Sequence, residues 1–328
     1  MSKTFSARLT WFALALSGVV LAQNAQPGPA PMSAADFDKL FNSVSNWGRW
    51  GKNDQRGTLN LVTQAKRKQA ATLAREGISL SLSQDFPPSQ AAVTQSQMQM
   101  IMTAPEGAPI AMDEWRIFYH GLSYAHMDSL CHARYKGKAY NGFNATDADE
   151  KGCATSGIEH LKDGILSRGI LIDMPRLKGV PYLAPGTPVL ASDIEAWEKK
   201  AGVKIGPGDV VLVRTGRWAK HGESVTLTPQ STSPGVHVTA LPLLHERDIA
   251  ALGTDVGLDV SPAGVDGVVI PTHTAAIASM GLLIIDNADL EALAETAARL
   301  NRWEFMFFAS PIPVKGGTGS VVNAIATF

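Results

Sequence analysis

At 328 residues, 45% hydrophobic and 18% charged, the chain can bury a full core, which excludes a disordered or short-repeat polypeptide. Its formal net charge of −1 leaves no electrostatic footprint for nucleic acid or an anionic membrane surface.

Lys3 and Arg8 precede an uncharged, mostly apolar run from Leu9 to Ala22 that ends Val20-Leu21-Ala22. A membrane span needs about 20 apolar residues and this run is shorter. Residues 1–22 therefore read as a secretory signal peptide cleaved after Ala22, with an uncleaved anchor as the alternative. Cleavage removes Lys3 and Arg8 and takes the charge from −1 to −3. Residues 23–32, rich in Gln, Asn and Pro, form a linker, and residues 33–328 a single catalytic domain. The mature protein is then expected to be periplasmic, with no membrane attachment. Cys131 and Cys153 are the only cysteines; export allows them to pair, and a buried thiol at Cys131 is the other reading.

Ser33 opens a short helix with Asp36 three residues on, a capping arrangement. Residues 60–75 read as a second helix stopped by Gly77, and 78–82 as a short strand. Residues 87–112, rich in Met, Gln and Pro and without period, read as a loop over the site. A strand is expected over 116–124, another over 169–173 and a fully buried one over 209–214. Ser192 caps a helix through Lys200, ended by Gly202. Residues 241–252 read as helix up to Gly253, 282–285 as a buried strand, 290–300 as helix and 303–309 as strand. Strands and helices alternate without a regular βαβ rhythm, which gives a mixed α/β class.

Between His120 and His132 lie three imidazoles and a carboxylate: His120, His126, Asp128 and His132. On an extended segment His126 and Asp128 share a face, with Cα atoms about 6 to 7 Å apart. His132 returns four residues later across a turn, as a third ligand of a divalent ion or as a general base. Histidines satisfied by backbone hydrogen bonds are the bland alternative, weaker for three than for one.

Further ligands are best sought in Pro271-Thr272-His273 and Ile284-Ile285-Asp286-Asn287. His273 opens a helix, and Asp286 follows a buried strand, where side chains enter clefts; helix start and helix cap are their structural alternatives. Asp255 and Asp259 end an apolar helix and line the same cleft or, the stronger reading, form turns. Arg214 orients a substrate carboxylate or is a satisfied loop arginine. Tyr124, with Tyr119, Phe118 and Trp115, stacks on an aryl substrate or fills core.

Taken together these residues resemble the cyclase family that includes bacterial kynurenine formamidases and isatin hydrolases, which carry H-x-G-T-H-x-D-x-P-x-H. His126, Asp128 and His132 fall on its second His, its Asp and its last His. Leu122 stands at the first His and Tyr124 at the Gly. His120 lies two residues before that first position, about 6 to 7 Å away on an extended strand, so it does not substitute without a bulge. The family's later His and Glu-Asn-Leu are similar to His273 and Asp286-Asn287, with Asp for Glu. Trp47-Gly48, Gly57-Thr58-Leu59-Asn60, Arg214-Thr215-Gly216, Ser233-Pro234-Gly235 and 289–293 look like its longer, divergent branch, so the resemblance covers most of residues 40–310.

The resemblance implies a swivelling β/β/α fold with a mixed sheet, and a divalent ion, Zn²⁺ or Mn²⁺, held by His126, Asp128, His273 and Asp286. It implies His132 as the catalytic base of a hydrolase acting on an amide, formamide, cyclic amide or ester, arylformamidase-like, with Tyr124 and Arg214 at the substrate. The partner expected is a small molecule, and the assembly a homo-oligomer. A lyase or cyclase using the same ion, and a periplasmic binding protein that lost catalysis with Leu122, are the competing readings. An exported enzyme meets imported or excreted substrates, which argues against a cytosolic role in tryptophan catabolism.

Overall fold

Residues 29–85, 98–221 and 232–328 are described by the structure, a computed structural model. The expected signal peptide lies outside them. Of the expected linker, Met32 makes a bridge to Val265, its N–H donating to the Gly264 carbonyl at 2.8 Å, so its last residue is tied to the fold.

Nine strands form one mixed sheet. In chain order they are β1 (Ser79–Ser81), β2 (His126–Asp128), β3 (Ile165–Asp173), β4 (Val210–Arg214), β5 (Ala251–Thr254), β6 (Leu283–Asp286), β7 (Glu304–Ala309), β8 (Gly319–Val321) and β9 (Ile325–Thr327). Their order across the sheet is β1-β9-β7-β3-β4-β5-β6-β2-β8. The central run β3-β4-β5-β6 is parallel, and both wings are antiparallel. Every residue of β4, β5 and β6 is buried, which is why these segments read as unbroken apolar runs instead of alternating ones. Gly169 on β3 faces Phe305 on β7, and a Cβ there would meet the Phe305 ring at 2.2 Å, so only glycine admits that aromatic.

Helices cover the sheet. Ala34–Ser43 starts where the Ser33 hydroxyl accepts the Asp36 N–H at 3.1 Å, and Glu291–Leu300 turns Leu293, Ala294 and Ala297 inward. Among the described residues no helix is long and apolar enough to cross a membrane.

Four expectations change. Ser192 does not cap its helix: Ala191–Ala201 starts from Leu190, whose N–H donates to Asp193 Oδ2 at 3.0 Å. The helix expected over 60–75 is a 3₁₀ turn, Gly57–Leu61, followed by Gln64–Ala71, because the Thr63 hydroxyl accepts the Lys66 N–H at 3.1 Å and caps a new start at Gln64. The helix expected over 241–252 ends at Glu246; Asp248 takes a left-handed φ of 54° and the apolar run beyond it is the central strand β5. In place of a long loop and a strand over 116–124, Met98–Met102 pairs with Asp113–Ile117 as a hairpin, and residues 120–124 are a succession of bends; residues 86–97 lie outside the described part.

Candidate metal centre

Strand β2 is inserted between β6 and β8, with Asp286 opposite His126 and Gly319 opposite Asp128. Cross-strand register thus puts Asp286 beside the His126–Asp128 pair. Parallel strands β3 and β4 end in register with Asp173 opposite Arg214, and clefts form at the carboxyl ends of such strands.

Asp128 is the hub. It is 1% exposed, and neither carboxylate oxygen has a hydrogen-bond partner. Four imidazoles surround it. His120 Nδ1 is 3.3 Å and His126 Nε2 3.7 Å from Oδ1, while His273 Nε2 is 3.7 Å and His132 Nε2 3.8 Å from Oδ2. Burial pushes the Asp128 carboxyl up, but His132, His120, His126 and His273 outweigh it and hold it well below the ordinary carboxylate range.

Each ring is oriented from behind. His126 Nδ1–H donates to the Tyr124 carbonyl at 2.9 Å, which leaves the Nε2 lone pair turned towards Asp128. His273 Nδ1 is 2.5 Å from Asp259 Oδ2, and its Nε2 is 3.0 Å from Asp286 Oδ2. Burial alone would lower the His273 pKa; Asp286 and Asp259, one on each side of the ring, raise it well above the ordinary value. Asp286 is further fixed by the Leu258 N–H, which donates to Oδ1 at 3.1 Å.

His132 follows the turn closed by its own N–H to the Ser129 carbonyl, 3.1 Å. Its ring stacks on His120 at 4.2 Å and 14°. Burial pushes the imidazole below its ordinary pKa, although Asp128 pulls the other way. Next to it Cys131 is disulfide-bonded to Cys153, which settles the two readings of these cysteines in favour of pairing.

Buried polar groups in proteins are nearly always partnered, and a buried carboxylate without a hydrogen bond is costly. The atoms of His126, Asp128 and Asp286 that can ligate an ion lie within 4.8 Å of one another, as do those of His120, Asp128 and His132. A cation coordinated by nitrogen and carboxylate oxygen fits this arrangement, and such a donor set suits zinc or manganese.

Of the residues singled out in the sequence, His126, Asp128, His132, His273 and Asp286 converge on this one point. Tyr124 is buried, its hydroxyl accepting the Met98 N–H at 3.1 Å. Arg214 is engaged elsewhere: its guanidinium donates to Asp173 Oδ1 at 2.9 Å and to Glu291 at 2.6 and 3.0 Å. His120, which an extended strand would have kept away, reaches Asp128 because the chain bends at 120–124. Asp259, read as a turn former, accepts the Thr272 and His273 amides at 2.6 and 3.1 Å and backs the His273 ring. Asp255 accepts three amides, from Thr215, Gly216 and Arg217. Arg217 is new, and Asn287, read in the sequence only as the neighbour of Asp286, gains a role: Arg217 donates to the Leu122 carbonyl and to Asn287 Oδ1, and Asn287 Nδ2 to the Gly121 carbonyl. No spacing in the sequence signals these contacts.

Comparison with known proteins agrees with this architecture. A solved structure described as a novel cyclase shares 27% identity at a TM-score of 0.78, over 88% of this chain and 99% of that one. Isatin hydrolase A from Ralstonia solanacearum is 18% identical at a TM-score of 0.53, over 79% and 95%. An isatin hydrolase bound to the product analogue thioisatinate is 18% identical at 0.56, over 80% and 98%; likenesses at this identity concern the fold. Curated proteins give no match. The Cyclase family model matches residues 77–260, more than half of the chain and including His126, Asp128, His132 and Asp259, and on that span the chain belongs to the cyclase family.

Proposed function

We propose that the protein is a metal-dependent hydrolase of a carbon–nitrogen bond (amide, formamide or cyclic amide) or an ester in a small aromatic substrate, arylformamidase-like in its chemistry. His126, Asp128, His273 and Asp286 would hold the divalent ion, Zn²⁺ or Mn²⁺. One observation carries this reading: a fully buried carboxylate with both oxygens unpartnered, ringed by four imidazoles. Such an ion supplies, when bound, polarisation of the scissile carbonyl and acidification of a water.

The rest is the work of the chain. His132, kept neutral near pH 7 by burial, takes the proton of the attacking water and returns it to the leaving nitrogen, a contribution of roughly 10² to 10⁴ in rate. Its stack on His120 restrains the ring. The carbonyl behind His126 and the carboxylate behind His273 fix which nitrogen of each ring faces Asp128. The exposed Trp115 and Phe118, each 59% exposed just before the bend, support an aryl substrate. The basic start and apolar run of residues 1–22 and the disulfide support export to the periplasm, and we propose a homo-oligomer that meets a small molecule there.

The test is turnover of formanilide, isatin and a phenyl ester by zinc- or manganese-loaded protein in ¹⁸O-water. Label in the acid product supports hydrolysis. Turnover without label makes the enzyme a lyase, and bound metal without any turnover makes it a binding protein.

A further inference from the structure

His120 falls outside the ligand set proposed above, yet its position is more constrained than a bystander needs. Its Nδ1 is buried, has no hydrogen-bond partner and lies 3.3 Å from Asp128 Oδ1, which has none either. Nε2 is 2.8 Å from the Thr318 hydroxyl. With Nε2–H donating to Thr318, Nδ1 presents a lone pair to a carboxylate lone pair. In that tautomer the two atoms repel at this separation, and a proton or a cation between them relieves it.

The backbone is built to hold the ring there. Carbonyls of the bend are gripped from a distant part of the chain: Leu122 by Arg217, and Gly121 and Tyr124 by Asn287 Nδ2 at 2.8 and 3.3 Å. Arg217 and Asn287 are joined to each other at 2.7 Å, and Asn287 directly follows Asp286, so the bend is registered to the end of β6. On the other side, a Cβ at Gly319 would meet His120 Cε1 at 3.0 Å and the Met127 carbonyl at 2.6 Å. The glycine leaves room for this ring.

We propose that His120 is a nitrogen ligand of the cation held at Asp128, delivered by the 120–124 bend and oriented by Thr318. The inference rests on the metal-dependent reading and extends its ligand set to a residue that an extended strand would have excluded. Thr318 is a positioning residue, since it reaches the ion only through the imidazole.

The experiment measures zinc affinity by chelator competition, and the visible spectrum of the cobalt-substituted protein, for the wild type, His120→Ala and Thr318→Val. His120→Ala should weaken zinc by at least tenfold and shift the cobalt absorption as a nitrogen donor is lost. Thr318→Val, which keeps the ring, should weaken zinc by about 10-fold, the lower end of the effect of removing a partner behind a ligand. Zinc affinity and cobalt spectrum unchanged in His120→Ala overturn the assignment of His120 while leaving the metal reading intact. A wild type that takes up neither metal overturns both. Should His120→Ala fail to fold, an unchanged spectrum and affinity in Thr318→Val overturns the proposal.

Discussion

Asp259 Oδ2 stands 2.5 Å from His273 Nδ1, on the side of the ring opposite the Nε2 that faces Asp286 and Asp128. A carboxylate in that place fixes tautomer and orientation and makes the imidazole a stronger donor to a cation. Asp259→Asn, which keeps one of the two carboxylate oxygens that accept the Thr272 and His273 amides and removes the negative charge behind the His273 ring, should weaken zinc affinity about 10- to 100-fold. Equilibrium dialysis with metal quantitation checks it; wild-type affinity would mean that Asp259 only closes the turn.

His132 and the ligands should separate on substitution. His132→Ala should cost roughly 10² to 10⁴ in kcat with metal content unchanged by elemental analysis. Loss of the metal along with activity would make His132 a ligand instead of the base.

The pH dependence follows from His273. Its pKa in the metal-free fold is raised by Asp286 and Asp259 against burial, so the ring keeps its proton to higher pH than an ordinary histidine. The stability this contributes is fully present below the unfolded value of about 6.5 and is lost as pH rises through the raised folded value. Zinc must displace that proton, so affinity should rise with pH around neutrality and about one proton should leave this ring on binding. Calorimetry in buffers of different ionisation enthalpy measures the release; heat independent of buffer contradicts it.

Arg214 distinguishes a structural role from one at the substrate. Asp173 is fully buried and Glu291 partly so, and both lean on the Arg214 guanidinium. Arg214→Met leaves those carboxylates without it and should lower unfolding free energy by about 3 kcal/mol, with KM of the folded fraction unchanged. A raised KM at unchanged melting temperature would give Arg214 to the substrate.

Reduction of Cys131–Cys153 opens a loop beginning next to His132. Loss of such a cross-link should cost about 2 to 4 kcal/mol, seen as a lower melting temperature with reductant. The Cys153→Ser variant should melt at that same lower temperature with or without reductant.

The legible parts of this molecule were those written in local pattern. Apolar runs gave the buried parallel strands β4 and β6, and the i, i+2, i+6 spacing of His126, Asp128 and His132 placed three groups on one centre. What escaped depends on partners distant in sequence. Residues 249–252 look the same as buried helix or buried strand, and only pairing with β4 and β6 makes β5 a strand. The bend at 120–124 is held by Arg217 and Asn287, so extrapolating an extended strand through it put His120 in the wrong place. Asp259 carries the composition of a turn, and its second use becomes visible only once His273 lies against it.

Strand β2 is three residues long and is secured by β6 on one side and β8 on the other. Both neighbours come from the last quarter of the chain, as do His273 and Asp286. No amino-terminal fragment therefore carries the whole proposed ligand set, and His126 and Asp128 meet His273 and Asp286 only once the last quarter of the chain has folded against them. Assembly of the proposed ion site is thus coupled to completion of the sheet, the last folding event the chain can make.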